Sequence, residues 1–172
     1  DNPLLAGWTL NDILINTRGA ADLAGATKMD RPEWIDTFPD SLTAIATLTN
    51  NSGRGTGTNP PTDPANPRPA NVYGQIIKWY YKKDWTEPTF GWDLFALCGD
   101  PAVPAHGATI VGDKYGSPDG IYVAPSGRLW IQTDVSSSTI NSGAYAGFGN
   151  NQMLCADLKT GETRRFLVGP NG

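Results

Sequence analysis

The sequence predicts a mainly β fold: two neighbouring four-stranded antiparallel blades of a β-propeller, preceded by a helical excursion. Three observations predict it. The chain repeats itself, each repeat carries four short strand-like pieces, and 20 Gly and 14 Pro accompany six Trp and six Tyr, a composition suited to short strands and many turns. In the repeat, Pro32 aligns with Pro118, Glu33 with Asp119, Ile35 with Ile121 and Pro39 with Pro125. Thr49-Asn50 aligns with Thr133-Asp134, and Gly74-Gln75 with Asn151-Gln152. Self-similarity of this kind sets the architecture, and four antiparallel strands per unit is the propeller blade.

In chain order, the apolar spacing from Leu10 to Ala24 predicts one helix, with Thr9 as its cap and Gly25 as its stop. Strands are expected at 34–38, 43–49, 74–81 and 90–97, then at 120–124, 128–133, 152–157 and 163–168. Turn chemistry separates them at Pro39-Asp40, Lys83-Asp84, Pro125-Ser126-Gly127 and Lys159-Thr160-Gly161-Glu162. Leu129 and Ile131 share one face of their strand, while Trp130 and Gln132 share the other. The Gly-, Asn-, Pro- and Thr-rich insert 51–71 lies between the second and third strands and is expected to overhang the face carrying the acidic positions. A shorter insert, 135–149, has the same place in the second unit. The expected organisation is an inter-blade segment (1–30), a blade (31–99), a linker loop (100–116) and a second blade (117–172).

With 13 Lys and Arg against 17 Asp and Glu, net charge −4, bulk electrostatics gives no nucleic-acid or anionic-membrane partner. No apolar run is long enough to span a bilayer. The start, Asp1-Asn2-Pro3-Leu4, has neither an initiator Met nor a signal peptide, and the end, Val168-Gly169-Pro170-Asn171-Gly172, stops in turn chemistry. Both read as cuts inside a longer protein. Two blades cannot close a ring, so the remaining blades, or self-association, are the expected partners. Cys98 and Cys155 read as small buried hydrophobes, with an inter-blade disulfide as the alternative.

The first strand of a propeller blade lines the channel, so Glu33 and Asp119 are expected to converge there. Carboxylates gathered from different blades repel unless a cation neutralises them, and calcium and ferric iron favour oxygen ligands. Asp134, or its counterpart Asn50, adds a further oxygen, while turn formation and strand-end capping are the structural alternatives for Asp119, Asp134 and Asn50. The one histidine, His106, lies in a loop away from these acids, which leaves no His-based zinc site. Arg31, two residues before Glu33, shares its side in an extended segment and suits a phosphate clamp or a plain ion pair. Arg18, Lys28, Arg54 and Arg68 read as spare basic groups, mostly solvated, with a loop arginine available to close over an anion.

The run Thr17-Arg18-Gly19-Ala20-Ala21-Asp22-Leu23-Ala24-Gly25-Ala26-Thr27-Lys28-Met29-Asp30-Arg31-Pro32-Glu33-Trp34 resembles a signature of the PhoX-type alkaline phosphatases. So do Leu48–Ser52, Asn66-Pro67-Arg68, Tyr73–Trp79, Trp92–Phe95, Gly116–Gly120, Leu129–Asp134 and Gly149–Met153. The resemblance implies a six-bladed propeller and a bacterial, periplasmic or secreted phosphomonoesterase, exported by a twin-arginine signal. It implies ferric iron and calcium linked by an oxo group, with a small phosphate ester as substrate. Carried over, Glu33 resembles a metal-ligating glutamate and Arg31 a substrate-phosphate arginine, both catalytic, and Asp119 and Asp134 resemble channel-facing metal positions. Family enzymes are several times longer, and their iron-ligating cysteine and other glutamates come from segments absent here. The piece alone is therefore expected to lack a complete cluster and to be inactive. A calcium-dependent lactonase or esterase propeller and a non-catalytic scaffold or binding module are the rival functions.

Overall fold

The computed structural model describes residues 2–39 and 41–170. Asp40 of the expected Pro39-Asp40 turn, Asn171 and Gly172 of the C-terminal turn, and Asp1 lie outside the described residues.

The N-terminal segment holds two short helices where the sequence predicts one: α1 (Leu10–Ile15) and α2 (Thr17–Leu23). Thr9 caps α1 as expected, its hydroxyl accepting from the Asp12 N–H while the Asp12 carboxylate accepts from the Thr9 N–H. The break falls at Asn16, whose side-chain oxygen accepts from the Gly19 N–H and starts α2. Asn competes with the helix for backbone partners, which is why it interrupts an otherwise continuous apolar spacing. Gly25, at φ 73°, follows the end of α2. No described helix is long and apolar enough to cross a membrane.

Two sheets follow. The first contains β1 (Pro32–Thr37), β2 (Thr43–Leu48), β3 (Gln75–Tyr80) and β4 (Gly91–Leu97), antiparallel and in chain order. The linker then contributes β5 (Val111–Gly112), and the second unit contributes β6 (Pro118–Ala124), β7 (Arg128–Thr133), β8 (Gln152–Asp157) and β9 (Glu162–Val168). The second sheet is thus five-stranded, ordered β5-β9-β8-β7-β6, rather than four-stranded as the repeat predicts. The added strand β5 runs parallel to β9. It is only two residues long and leaves no alternation to read. Gly112, at φ 116°, permits the approach, because a Cβ there would sit 2.1 Å from the Thr163 carbonyl oxygen.

The pairing also corrects the repeat by one residue. Ile35 pairs with Ala46, whereas Ile121 pairs with Ile131, so the first hairpin is one residue longer. Pro32 pairs with Leu48 and Pro118 with Thr133. The counterpart of Asp134 is therefore Thr49, not Asn50. Gln75 and Gln152 do correspond, and both are buried, each holding the insert before it through a carbonyl: Ala65 at 2.8 Å and Phe148 at 3.0 Å.

One apolar core fills the space between the sheets. Ile45 and Ile76 of the first meet Ile121, Val123, Leu129, Ile131 and Leu154 of the second, closed by Tyr73, Tyr145 and Phe148. Leu129 and Ile131 are fully buried, and Trp130 and Gln132 face away, as alternation predicts. Truncating Leu129 or Leu154 to Ala removes buried methyls at a cost of about 2–5 kcal/mol. A smaller cluster of Leu48, Ala65 and Ile77 covers the opposite face of the first sheet. Cys98 is buried, Cys155 is half-buried, and both are free, so no disulfide joins the sheets. Burial pushes the Cys98 thiol up to about 12, which suits a packing residue and not a nucleophile.

Candidate functional site at the sheet junction

Glu33 and Asp119 sit at the same structural position, and each lies in a β-bulge. Between Pro32 and Ile35, β1 carries one residue more than its partner strand, and β6 does the same between Pro118 and Ile121. A bulge bends the strand and re-aims the side chain it displaces. The residue before each Pro is left-handed without being glycine: Arg31 has φ 46° and Ser117 has φ 50°. Proline disfavours such a conformation in the residue ahead of it, and each instance costs on the order of 1–3 kcal/mol. Backbone bonds close both turns in the same way. Thr49 N–H donates to the Arg31 carbonyl at 3.1 Å, and Asp134 N–H donates to the Ser117 carbonyl at 2.9 Å.

The two bulges meet. The Thr47 hydroxyl accepts from the Trp34 N–H at 3.1 Å and donates to the Asp119 carbonyl at 2.7 Å, joining one bulge to the other. Thr49 donates to the Pro118 carbonyl at 3.0 Å, and Asp36 of β1 accepts from the Val123 N–H at 2.7 Å. Asn50 donates to the Ser117 hydroxyl at 3.3 Å, which makes its side chain part of this joint.

Four expected site residues come together here. Burial, then the negative charges of Glu33 and Asp134, hold the Asp119 carboxyl above the ordinary aspartate range, while Arg31 opposes the shift. Arg31 Nε donates to Glu33 Oε1 at 3.1 Å. Its terminal amino groups have no hydrogen-bond partner among the described residues, and its side chain is 57% exposed. The site thus presents three carboxylates and one open guanidinium fork. The donor set is all oxygen, which calcium and ferric iron favour, but among the described residues no three His, Cys, Asp or Glu side chains close around a single point. These residues fit a share of such a site and not the whole of it.

Of the other basic residues expected to be spare, Arg54 and Arg68 are not. Arg54 is 1% exposed and pairs with the fully buried Asp30. Arg68 is half-buried and donates to the carbonyls of Cys98, His106 and Gly74. Lys28 pairs with Asp22, and Arg18 is exposed. His106 accepts from the Asp100 N–H at Nδ1 and shares its Nε2 proton with Tyr73, so both ring nitrogens serve the loop. Asp30 escaped the sequence reading, because its partners lie 21 to 41 residues away in an insert that reads as solvated.

A repeated antiparallel sheet that gathers an arginine and carboxylates where its leading strands meet defines the class: a β-repeat protein with a charged junction between its sheets. The family model "Alkaline phosphatase PhoX" matches residues 6–172, and the chain belongs to that family. Among solved structures, it is similar to Pseudomonas fluorescens PhoX in complex with vanadate, a transition state analogue, at 47% identity and a TM-score of 0.83. That match covers 97% of this chain and 30% of the other, so the chain spans less than a third of its solved relative. No curated protein matches it.

Proposed function

We propose that the protein carrying this chain is a metal-dependent phosphomonoesterase, with these two sheets as neighbouring blades of a six-bladed propeller. The supporting observation is the junction itself: Arg31 and Glu33 from one sheet, with Asp119 and Asp134 from the next, in a family member 47% identical to a vanadate-binding PhoX. Arg31 holds the phosphate. Its Nε stays on Glu33, and its two terminal amino groups meet two phosphate oxygens, a fork that lysine cannot reproduce. The same fixed charge steadies the negative charge that grows in the transition state. Glu33, Asp119 and Asp134 hold calcium or ferric iron, and when bound these ions supply Lewis-acid charge to the phosphate oxygens. Other ligands come from the rest of the protein. The working compartment is periplasmic or secreted, the substrate a small phosphate ester, and the chain by itself inactive.

The whole protein carrying this chain should hydrolyse p-nitrophenyl phosphate, and Glu33→Gln should abolish that activity and lower the iron and calcium found by elemental analysis. Hydrolysis of a lactone in preference to the phosphate ester would point to a lactonase-type enzyme. A folded, metal-free whole protein without either activity would leave only a scaffold. Full activity in Glu33→Gln removes the assignment of Glu33.

A further inference from the structure

We propose that Asp30, clamped by Arg54 and the insert 51–71, is the positioning residue that holds Arg31 and Glu33 in their working geometry. Asp30 is fully buried, and all of its polar atoms but the carbonyl are held by the insert. Its Oδ1 accepts from Arg54 Nε at 2.7 Å and from Asn51 at 2.9 Å, its Oδ2 accepts from Asn71 at 3.0 Å, and its N–H donates to Asn66 at 3.0 Å. Arg54 is anchored in turn on the carbonyls of Pro61 and Lys28. The next residue is Arg31, in its left-handed conformation, and two further on is Glu33. A strained step persists only where its surroundings over-determine it, and the clamp ends one residue before the strain.

The second sheet repeats the device with different chemistry. Ser117 is buried and left-handed, and the insert 135–149 reaches it through Tyr145, whose hydroxyl lies 2.6 Å from the Ser117 hydroxyl and donates to the Val72 carbonyl. In both units the insert between the second and third strands grips the chain just before the Pro-acid pair, at the residue ahead of the left-handed step in the first and at the left-handed residue itself in the second. Stability alone does not require an ion pair in such a place, since apolar replacements of buried pairs are often as stable. A charged, fully hydrogen-bonded anchor fixes direction as well, and direction is what a phosphate fork and a ligating carboxylate need.

The proposal rests on the phosphatase reading for its kinetic arm and on geometry alone for its structural arm. In the whole protein, Asp30→Asn keeps shape and removes the charge. It should raise KM for p-nitrophenyl phosphate and the inhibition constant of inorganic vanadate about tenfold per folded molecule, because small misplacements of a binding group have effects of this size. Asn51→Ala, which removes one half-buried bond of the clamp, keeps the test open if Asp30→Asn does not fold, and should move both constants in the same direction by less. Crystal structures of the two variants should show Arg31 released from positive φ and the Glu33 carboxylate displaced. Lower melting temperature with unchanged KM and vanadate inhibition, or an unchanged Arg31–Glu33 backbone, overturns the proposal. If Glu33→Gln remains fully active, the phosphatase site is what fails, and the crystal structures still decide the role of Asp30.

Discussion

Asp119 carries the electrostatic tension of the junction. Burial and the charges of Glu33 and Asp134 raise its carboxyl above the ordinary 3.8, and only Arg31 relieves it. A carboxyl raised in the folded state favours folding while protonated, and that contribution is lost as pH climbs through the raised value. In metal-free protein, the contribution of Asp119 to stability should therefore fall as pH rises above 3.8, against the opposite trend of aspartates held below their ordinary value, such as Asp100 and Asp157. Asp119→Asn keeps the shape without the charge and should flatten this part of the profile, so that its melting temperature at neutral pH exceeds that of the metal-free parent. Calcium should stabilise the parent and have a smaller effect on the variant. Parallel thermal melts with chelator and with calcium, across pH 4 to about 8, check both statements; an Asp119→Asn profile as steep as the parent's would contradict them.

At the scale of elements, the junction depends on hydroxyl groups that bridge the two bulges. Thr47 is fully buried and serves Trp34 and Asp119 at once. Thr47→Val preserves volume but removes the hydroxyl partner of a partly buried N–H and a partly buried carbonyl, at a cost of about 1–3 kcal/mol. Urea titration should show this loss with an unchanged slope, and a variant as stable as the parent would mean that the bridge is dispensable. These elements also show what can be read in a sequence. The strands were legible because alternation and turn residues repeat, and Pro-acid at the head of each unit marked Glu33 and Asp119. The bulges were not, since only Gly120 hints at one and Trp34 hides the other. The extra residue in the first hairpin moved the partner of Asp134 from Thr49 to Asn50, a slip that periodicity cannot detect where both candidates are polar. Arg54 looked solvated because its partner Asp30 is 24 residues away, across a loop of turn-formers.

For the molecule as a whole, the covered and uncovered faces make opposite demands. Between the sheets the core is closed, and the junction bonds tie them into one unit. On the outer faces aromatics remain in water: Trp34 and Tyr122 beside the second sheet's hollow with Trp130 and Met153, and Trp92 and Phe90 beside the first sheet's hollow with Ile77 and Trp79. Contiguous apolar patches of this kind mark surfaces made to be covered. In a closed propeller the neighbouring blades cover them. In the 172-residue chain on its own, a net charge of −4 offers little repulsion against their association. The isolated chain should therefore self-associate with rising concentration in sedimentation velocity runs, and Trp34→Ser with Trp92→Ser should shift it toward monomer, one substitution for each face. A parent chain that stays monomeric throughout the series would show that these faces are tolerated in water, and would remove the reason for assigning neighbouring blades to them.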